Sequence, residues 1–233
     1  DMHAAPMSED DLQRGVVAAW AQRAHQGLGR LLGLPVALLV AAEIAVLLAG
    51  VVARYVFHHP LIWSDEVASI LFLWLAMLGS AVAFQRGEHM RMTAVVGKLA
   101  PEMRAFLDVL ATAAALAFLL LVLPHAYEYA VEEAMMRTPA LDLQNSWRVA
   151  AMAAGFGAMA LLAILRLAAV GRPRQVAAAV GLVVAIMVLM TLLQPVWRQL
   201  GNANLVVFFV IVVAGAVFAG VPIAFAFGLA TLG

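Results

Sequence analysis

Repeated apolar runs of nearly twenty residues are the feature that most constrains the fold of this chain. Four of them carry few charges: Leu31–Val56, Val67–Phe84, Phe106–Leu123 and Val149–Leu165. A helix needs about 20 such residues to cross the hydrocarbon core of a bilayer. The runs do not alternate apolar and polar residues, as the strands of a membrane barrel do. The sequence therefore predicts an all-α polytopic membrane protein.

Composition supports this class and argues against others. The 233 residues are 65% hydrophobic and 12% charged, whereas soluble domains are about half apolar and about a quarter charged. Basic and acidic residues balance at 14 each, so no basic excess indicates a nucleic-acid partner. The chain has no cysteine, which excludes disulfides, thiolate nucleophiles and cysteine-ligated metals.

Two further apolar stretches extend beyond these four. Val176–Val196 predicts a fifth span, and another stretch begins at Leu205. In that last stretch Gly220 and Pro222 predict a kink or a break, so it is either one long kinked helix or a span followed by the start of a hairpin. The N-terminal segment lacks a basic region followed at once by a short apolar stretch, and we expect no cleavable signal peptide.

The positions of lysine and arginine predict a cytoplasmic N-terminus. Short cytoplasmic loops carry an excess of these residues. With the N-terminus inside, ten of the fourteen lie on the inner side, and those outside are Arg54, Arg137, Arg148 and Arg198. The outer loop between the third and fourth spans is then acidic, with Glu128, Glu132, Glu133 and Asp142.

Residue types at the ends of the runs predict where helices start and stop. Ser64 has the side chain of an N-cap, and Asp65 and Glu66 in the first turn suit the helix dipole. Gly87 suits a C-cap at the end of the second span. Pro124 is expected to stop the third span.

Other segments are predicted from their mixed or small residues. Gly15–Gly29 and Tyr127–Arg137 are either amphipathic helices at the membrane surface or ordinary loop helices. Small residues in Ala111–Ala117, Ala150–Ala160 and Gly181–Ala185 predict faces on which helices pack closely.

Two charged residues of the first span admit more than one role. Glu43 is either an ion or proton site or a buried structural partner of another helix. We favour structure, because no second acid lies at similar depth in another span. Arg54 is expected to extend toward the headgroups, and pairing with Asp65 or Glu66 across the Phe57–Trp63 turn is an open alternative.

The histidines do not form a metal-binding pattern. His58 and His59 precede Asp65 and Glu66, but adjacent histidines point different ways and no His-x₃-His spacing is present. We therefore predict no metal and no catalytic site. A membrane-embedded redox or metal-binding subunit is the alternative, and it needs histidines within spans. We expect all six at ends or in loops: His3, His25, His58, His59, His89 and His125.

The first two spans and the turn between them contain an ordered set of residues: Glu43, Arg54, Tyr55, Phe57, Pro60, Trp63, Glu66, Trp74, Gly79, Arg86, Gly87 and His89. "TPAL", Thr138–Leu141, follows before the fourth span. This set resembles the small membrane subunit, DctQ-like, of tripartite ATP-independent periplasmic (TRAP) transporters. The resemblance covers about residues 30–172 and departs from the usual pattern at Asp65.

The resemblance extends past the four spans of that subunit. "GVPIAFA", which includes Gly220 and Pro222, looks like the opening of the family's large, DctM-like subunit. It implies a fused chain in four parts. Residues 1–30 are a cytoplasmic segment, 31–174 a four-span scaffold bundle, 175–200 a connecting transmembrane helix, and 201–233 the beginning of a transport domain.

The resemblance also implies a function and partners. It implies that a periplasmic binding protein delivers an organic acid. The large part, fused or separate, carries the substrate with Na⁺ as the coupling ion. The small part is a non-enzymatic scaffold and docking element in the bacterial inner membrane, surrounded by phospholipid. A non-transporting assembly partner is a further alternative. Expected scaffold contacts are Glu43, Arg54, Trp63, Glu66, Trp74, Arg86 and His89. Expected docking residues are His58, His59, Asp65, Glu128, Glu132, Glu133, Arg137 and Asp142.

Overall fold

A computed structural model describes residues 9–87, 100–170, 173–192, 210, 213–218, 221 and 223–231. These residues are almost entirely helical, and the described part contains no strand beyond one isolated bridge. The helices are α1 (Glu9–Tyr55), α2 (Ser64–Arg86), α3 (Pro101–Glu132), α4 (Ser146–Ala169), α5 (Pro173–Leu192), α6 (Val213–Phe218) and α7 (Ile223–Thr231), with a 3₁₀ turn at Glu133–Met135.

Four described helices, α1 to α4, are long and apolar enough to cross a membrane. This confirms the predicted all-α polytopic membrane protein. The described part of the predicted fifth span is the shorter apolar helix Pro173–Leu189, and residues 193–196 lie outside the described residues. Gly220 and Pro222 also lie outside them, so the kinked helix and the hairpin both stay predictions.

The chain divides into two compact units. One contains the described residues of Gln26–Glu88 and Leu119–Leu162, and the other contains those of Asp1–His25, His89–Phe118 and Ala163–Gly233. In the second of these units, α7 packs on α3, where the Phe225 and Phe118 rings meet edge to face with centroids 5.8 Å apart.

α1 and α2 form an antiparallel pair within the first unit. A side chain at Gly29 would collide with Gln85, and a Cβ at Gly50 would lie 3.1 Å from Ser64 Oγ. Along either helix these contacts are about 32 Å apart at 1.5 Å per residue, close to the roughly 30 Å hydrocarbon thickness. α1 continues unbroken through Pro35, so Gly15–Gly29 belongs to the same helix as the first span.

Small residues allow α2 and α4 to approach closely. A Cβ at Gly155 would lie 2.7 Å from Met77 Cβ and 3.2 Å from the Met77 carbonyl carbon. Ala151 and Ala160 on the same helix are also buried. This confirms the predicted packing face at Ala150–Ala160, because only a hydrogen at position 155 fits the distance.

The prediction that Pro124 stops the third span is wrong. α3 passes through Pro124 and ends eight residues later, at Glu132. Proline inside a membrane helix is tolerated when nearby groups satisfy the freed backbone. Pro124 frees the carbonyl of Leu120. The adjacent His125 ring lies beside this part of the backbone, with Nδ1 3.0 Å from the next carbonyl oxygen, that of Leu121.

Candidate docking and scaffold site

The carboxylate of Glu66 joins the start of α2 to the loop between α3 and α4. Its Oε1 accepts a hydrogen bond from the Ala140 amide at 2.7 Å, and its Oε2 accepts one from the Leu141 amide at 3.0 Å. The Thr138 hydroxyl also hydrogen-bonds this carboxylate. The structure thus brings together an acid and a "TPAL" segment that the sequence separates by more than seventy residues.

Two further polar contacts tie α2 to the first turn of α4. The Trp74 indole N–H donates to the Trp147 carbonyl oxygen at 2.9 Å. The Arg148 guanidinium donates to Ser69 Oγ at 3.5 Å. The approach of Gly155 to Met77 lies about two turns beyond the Ser69–Arg148 contact on both helices, so α2 and α4 run side by side in the same direction.

The α3–α4 loop, residues 133–145, is also stabilised by hydrogen bonds between its own residues. The Arg137 guanidinium donates to the Asp142 carbonyl oxygen at 3.0 Å and to its Oδ2 at 2.9 Å. The Thr138 amide donates to the Leu143 carbonyl at 2.8 Å, and the Asn145 amide donates to the Met136 carbonyl at 2.9 Å. These bonds satisfy backbone groups inside the loop, so its shape is determined by its own residues and by Glu66.

The α1–α2 turn, residues 56–63, is built differently from the prediction at Ser64. Ser64 is the first residue of α2 and is not its N-cap, which is Trp63 and has no side-chain cap bond. The Ser64 hydroxyl instead donates to the Leu61 carbonyl at 2.7 Å, because it is buried against α1 and turns back into the turn.

The ends of α2 contain an ion pair that the sequence left as an open alternative and the cap that it predicted. Arg54 and Asp65 lie 3.8 Å apart with both side chains more than half exposed. At the other end Gly87 adopts a left-handed φ of 72° and its amide donates to carbonyls of the last turn. Arg86 precedes it in the exposed last turn, and His89 lies outside the described residues.

Glu43 is buried in α1. Only 9% of its surface is exposed, and its Oε2 has no hydrogen-bond partner within the described part of the chain. This burial favours the structural reading over an open ion path, since burying an unpaired carboxylate is costly unless it is protonated.

Comparison with known proteins assigns a family to this arrangement. The model of the DctQ component of tripartite ATP-independent periplasmic transporters matches residues 43–172, more than half of the chain. The chain belongs to the DctQ family. The matched region includes Glu66, the α3–α4 loop and the first turns of α4 that α2 contacts.

Named relatives are components of TRAP transporters. The sialic acid TRAP transporter small permease protein SiaQ of Vibrio cholerae is 29% identical over 109 residues, 47% of this chain and 63% of its own length. The C4-dicarboxylate TRAP transporter small permease protein DctQ of the same organism is 23% identical over 111 residues, 48% of each chain. The sialic acid TRAP transporter permease protein SiaT of Haemophilus influenzae is 38% identical over 65 residues, 28% of this chain and 11% of SiaT. The chain thus spans less than two thirds of each of these relatives.

The residues expected to dock a partner of this DctQ-family chain fall into two groups, those that stabilise the α3–α4 loop and those that are exposed outside it. Glu133 accepts a hydrogen bond from the Asn145 amide side chain, and Arg137 pairs with Asp142, so these three stabilise the loop itself. Glu128 and Glu132 are exposed at the end of α3. His58 and His59 are exposed in the α1–α2 turn, with Asp65 beside them at the start of α2.

Other histidines do not lie where the sequence predicted them. His25 lies inside α1 and His125 inside α3, so the expectation that all six lie at helix ends or in loops is wrong, because both helices are longer than the apolar runs. Within the described ranges, no group of three His, Asp or Glu side chains is close enough to hold a metal ion.

Sequence reasoning missed one polar pair in this fold. Arg166 near the end of α4 donates to Asp108 Oδ2 on α3 at 3.4 Å, beside a half-open cavity of about 300 Å³. The signal was an acid in the first turn of one predicted span and a cation directly after the end of the next. Adjacent antiparallel spans bring such residues together, but the cation had been counted only for orientation.

Proposed function

We propose that this DctQ-family chain is the scaffold and docking part of a TRAP transporter in a bacterial inner membrane, with its N-terminus in the cytoplasm. A periplasmic binding protein delivers an organic acid to the transporter, and a large transport domain carries the acid with Na⁺ as the coupling ion. One observation carries the docking part. The α3–α4 loop is held both by its own hydrogen bonds and by Glu66, so it offers a preformed surface, which lowers the ordering cost of binding.

The substrate class follows from the relatives. Two of them are named for sialic acid and for C4-dicarboxylates, and both kinds of compound carry carboxylates. We therefore expect a carboxylate substrate, which the large part selects.

Fusion to a large subunit is supported by two observations. The SiaT match covers only 11% of that permease, so a segment like this one occurs within a much longer chain. In this chain α7 packs on α3 through Phe225 and Phe118. We assign residues 31–174 to the scaffold, 175–200 to a connecting helix and 201–233 to the start of the transport domain.

Uptake of a labelled acid into vesicles tests the transport scheme. The permease in its full natural length, reconstituted with its binding protein, is expected to import only when both the binding protein and an inward Na⁺ gradient are present. Import that needs neither would contradict the scheme.

Charge reversal at the exposed end of α3 tests docking. Glu128→Lys with Glu132→Lys is expected to lower uptake at limiting binding protein, because a rim charge changes the association rate. The control is Glu102→Lys, an equally exposed acid at the other end of the same helix. Equal uptake by both variants would remove this end of α3 from the docking surface.

A further inference from the structure

We propose that Glu66 is a positioning residue for docking: its carboxylate holds the Thr138–Leu141 segment of the α3–α4 loop in the conformation that a periplasmic binding protein recognises. The proposal rests on the docking function above. It goes further by assigning the geometry of the docking loop to a single side chain on another helix.

The geometry of the contact is that of a two-point clamp. Each carboxylate oxygen takes one of two successive backbone amides, those of Ala140 and Leu141, at 2.7 and 3.0 Å. Hydrogen bonds to an ionised acceptor are about twice as strong as those between neutral groups. A carboxylate accepts at both terminal atoms, whereas in an amide side chain one of these atoms is an NH₂ group that cannot accept a hydrogen bond.

The loop needs such a clamp at this segment. Its internal bonds close the base, where Asn145 bonds Met136 and Thr138 bonds Leu143. The amides of Ala140 and Leu141 lie at the tip, and in the described hydrogen bonds they donate to the Glu66 carboxylate. Without that carboxylate the amides of Ala140 and Leu141 form hydrogen bonds with water instead, and the tip of the loop samples more conformations.

The clamp is itself fixed by helix packing. Glu66 lies in the first turn of α2, and α2 is anchored to α4 through Trp74 and through the approach at Gly155. The neighbouring carboxylate, Asp65, is 79% exposed, and within the described residues its contact is the 3.8 Å pair with Arg54. Asp65 therefore provides a matched control that carries the same charge in the same turn.

Hydrogen exchange on the purified full-length permease tests the clamp without any transport. Glu66→Gln is expected to speed exchange of the Ala140 and Leu141 amides by at least about tenfold, and Asp65→Asn is expected to leave it unchanged. Unchanged exchange in Glu66→Gln would overturn the proposal. If that variant does not fold, Thr138→Val removes the loop's own hydroxyl contact and is expected to give a smaller change in the same direction, and no change would overturn the proposal equally.

Transport kinetics then test docking. Glu66→Gln is expected to raise the binding-protein concentration for half-maximal uptake by about tenfold, with the maximal rate near wild type, because the transport domain is unaltered. A merely structural role would lower the maximal rate through loss of folded protein. Faster exchange with an unchanged half-maximal concentration would overturn the proposal while leaving the scaffold function in place. Uptake by the wild type without binding protein would instead contradict the proposed function, and the exchange result would stand by itself.

Discussion

The α1–α2 turn and the α3–α4 loop belong to the same compact unit, yet they are held in different ways. The turn uses local bonds, such as that from the His59 amide to the Ala53 carbonyl at 3.0 Å. The loop adds bonds to a distant helix through Glu66. One ion pair, Arg54–Asp65, flanks the turn, and another, Arg137–Asp142, lies within the loop. Each region also contains a non-glycine residue with positive φ, His58 in the turn and Asp142 in the loop.

The difference follows from the length of the connection. The turn links two helices that are already paired along their full spans, so few residues need fixing. The loop is longer than the usual two to eight residues between bundled helices, and its ordering costs more backbone entropy. Contacts to α2 offset that cost, and the α2 residues that make them, Glu66, Ser69 and Trp74, lie within about its first three turns.

The largest expected effect comes from separating α2 from α4. Gly155→Ala places a methyl group against Met77, and overpacking of this kind costs about 1–3 kcal/mol. We expect a lower thermal unfolding temperature in detergent, with faster exchange at the loop amides that Glu66 holds and unchanged exchange in the turn.

Gly157 provides the matched control for that substitution. It lies on the same helix, and a Cβ there meets nothing within 4 Å. Gly157→Ala is expected to be neutral or to stabilise by up to about 1 kcal/mol through helix propensity. Equal losses in the two variants would show that the contact with Met77 does not set the α2–α4 distance.

A smaller effect is expected from removing the two arginines. Arg137→Gln breaks bonds at 2.9 and 3.0 Å inside the loop, and we expect about three- to tenfold faster exchange at Thr138 and Asn145. Arg54→Gln breaks one exposed pair at 3.8 Å, and such pairs are worth about 0–1 kcal/mol. Its effect on the turn is expected to be close to zero.

Salt separates these two cases further. Screening weakens exposed charge pairs. In 1 M NaCl the difference in exchange between the wild type and Arg54→Gln, already close to zero, should therefore stay close to zero. The loop bond from Arg137 to the Asp142 carbonyl is a directed hydrogen bond to backbone and should persist. If both arginine variants respond alike, the loop is no better braced than the turn, and the contrast between the two regions fails.

The turn was more predictable from sequence than the loop because its contacts are local. The Arg54–Asp65 pair, which the sequence left as an alternative, joins residues that are near in sequence across the turn. The Gly87 cap at the other end of α2 is also local, and that prediction is confirmed. The contact of Glu66 with Ala140 spans 74 positions, and it depends on the parallel register of α2 and α4, which apolar runs do not specify. The resemblance had placed Glu66 and the "TPAL" segment in one ordered set without indicating that they touch.

Two local predictions failed for a related reason. The hydroxyl type at Ser64 suggested a cap, but burial against α1 redirected it to a carbonyl of the turn. Proline suggested a stop at residue 124, but the helix continues past it with a histidine ring beside the backbone. At Ser64 contact with another helix decided between options that the residue type left open, and at Pro124 the residue type alone did not determine the end of the helix.

A further small effect distinguishes the two non-glycine residues with positive φ in the described part of the chain. His58 has φ 57° and Asp142 has φ 53°, in a region that costs most side chains about 1–2 kcal/mol. Glycine removes this cost but loses about 0.5–1 kcal/mol of chain entropy on folding. His58→Gly is therefore expected to stabilise the protein by about 0.5 kcal/mol, measured by thermal unfolding in detergent.

Asp142→Gly is expected to have the opposite sign. Aspartate tolerates the left-handed region better than histidine, so less strain is relieved, and the substitution also removes the side-chain bond to Arg137 at 2.9 Å. Asp142→Asn retains both the conformational tolerance and an acceptor oxygen, and it should lie close to wild type. If Asp142→Gly stabilises as much as His58→Gly, the Arg137 bond adds nothing to the loop. The bracing would then come from Glu66 and the backbone bonds alone, because these do not involve the Asp142 side chain.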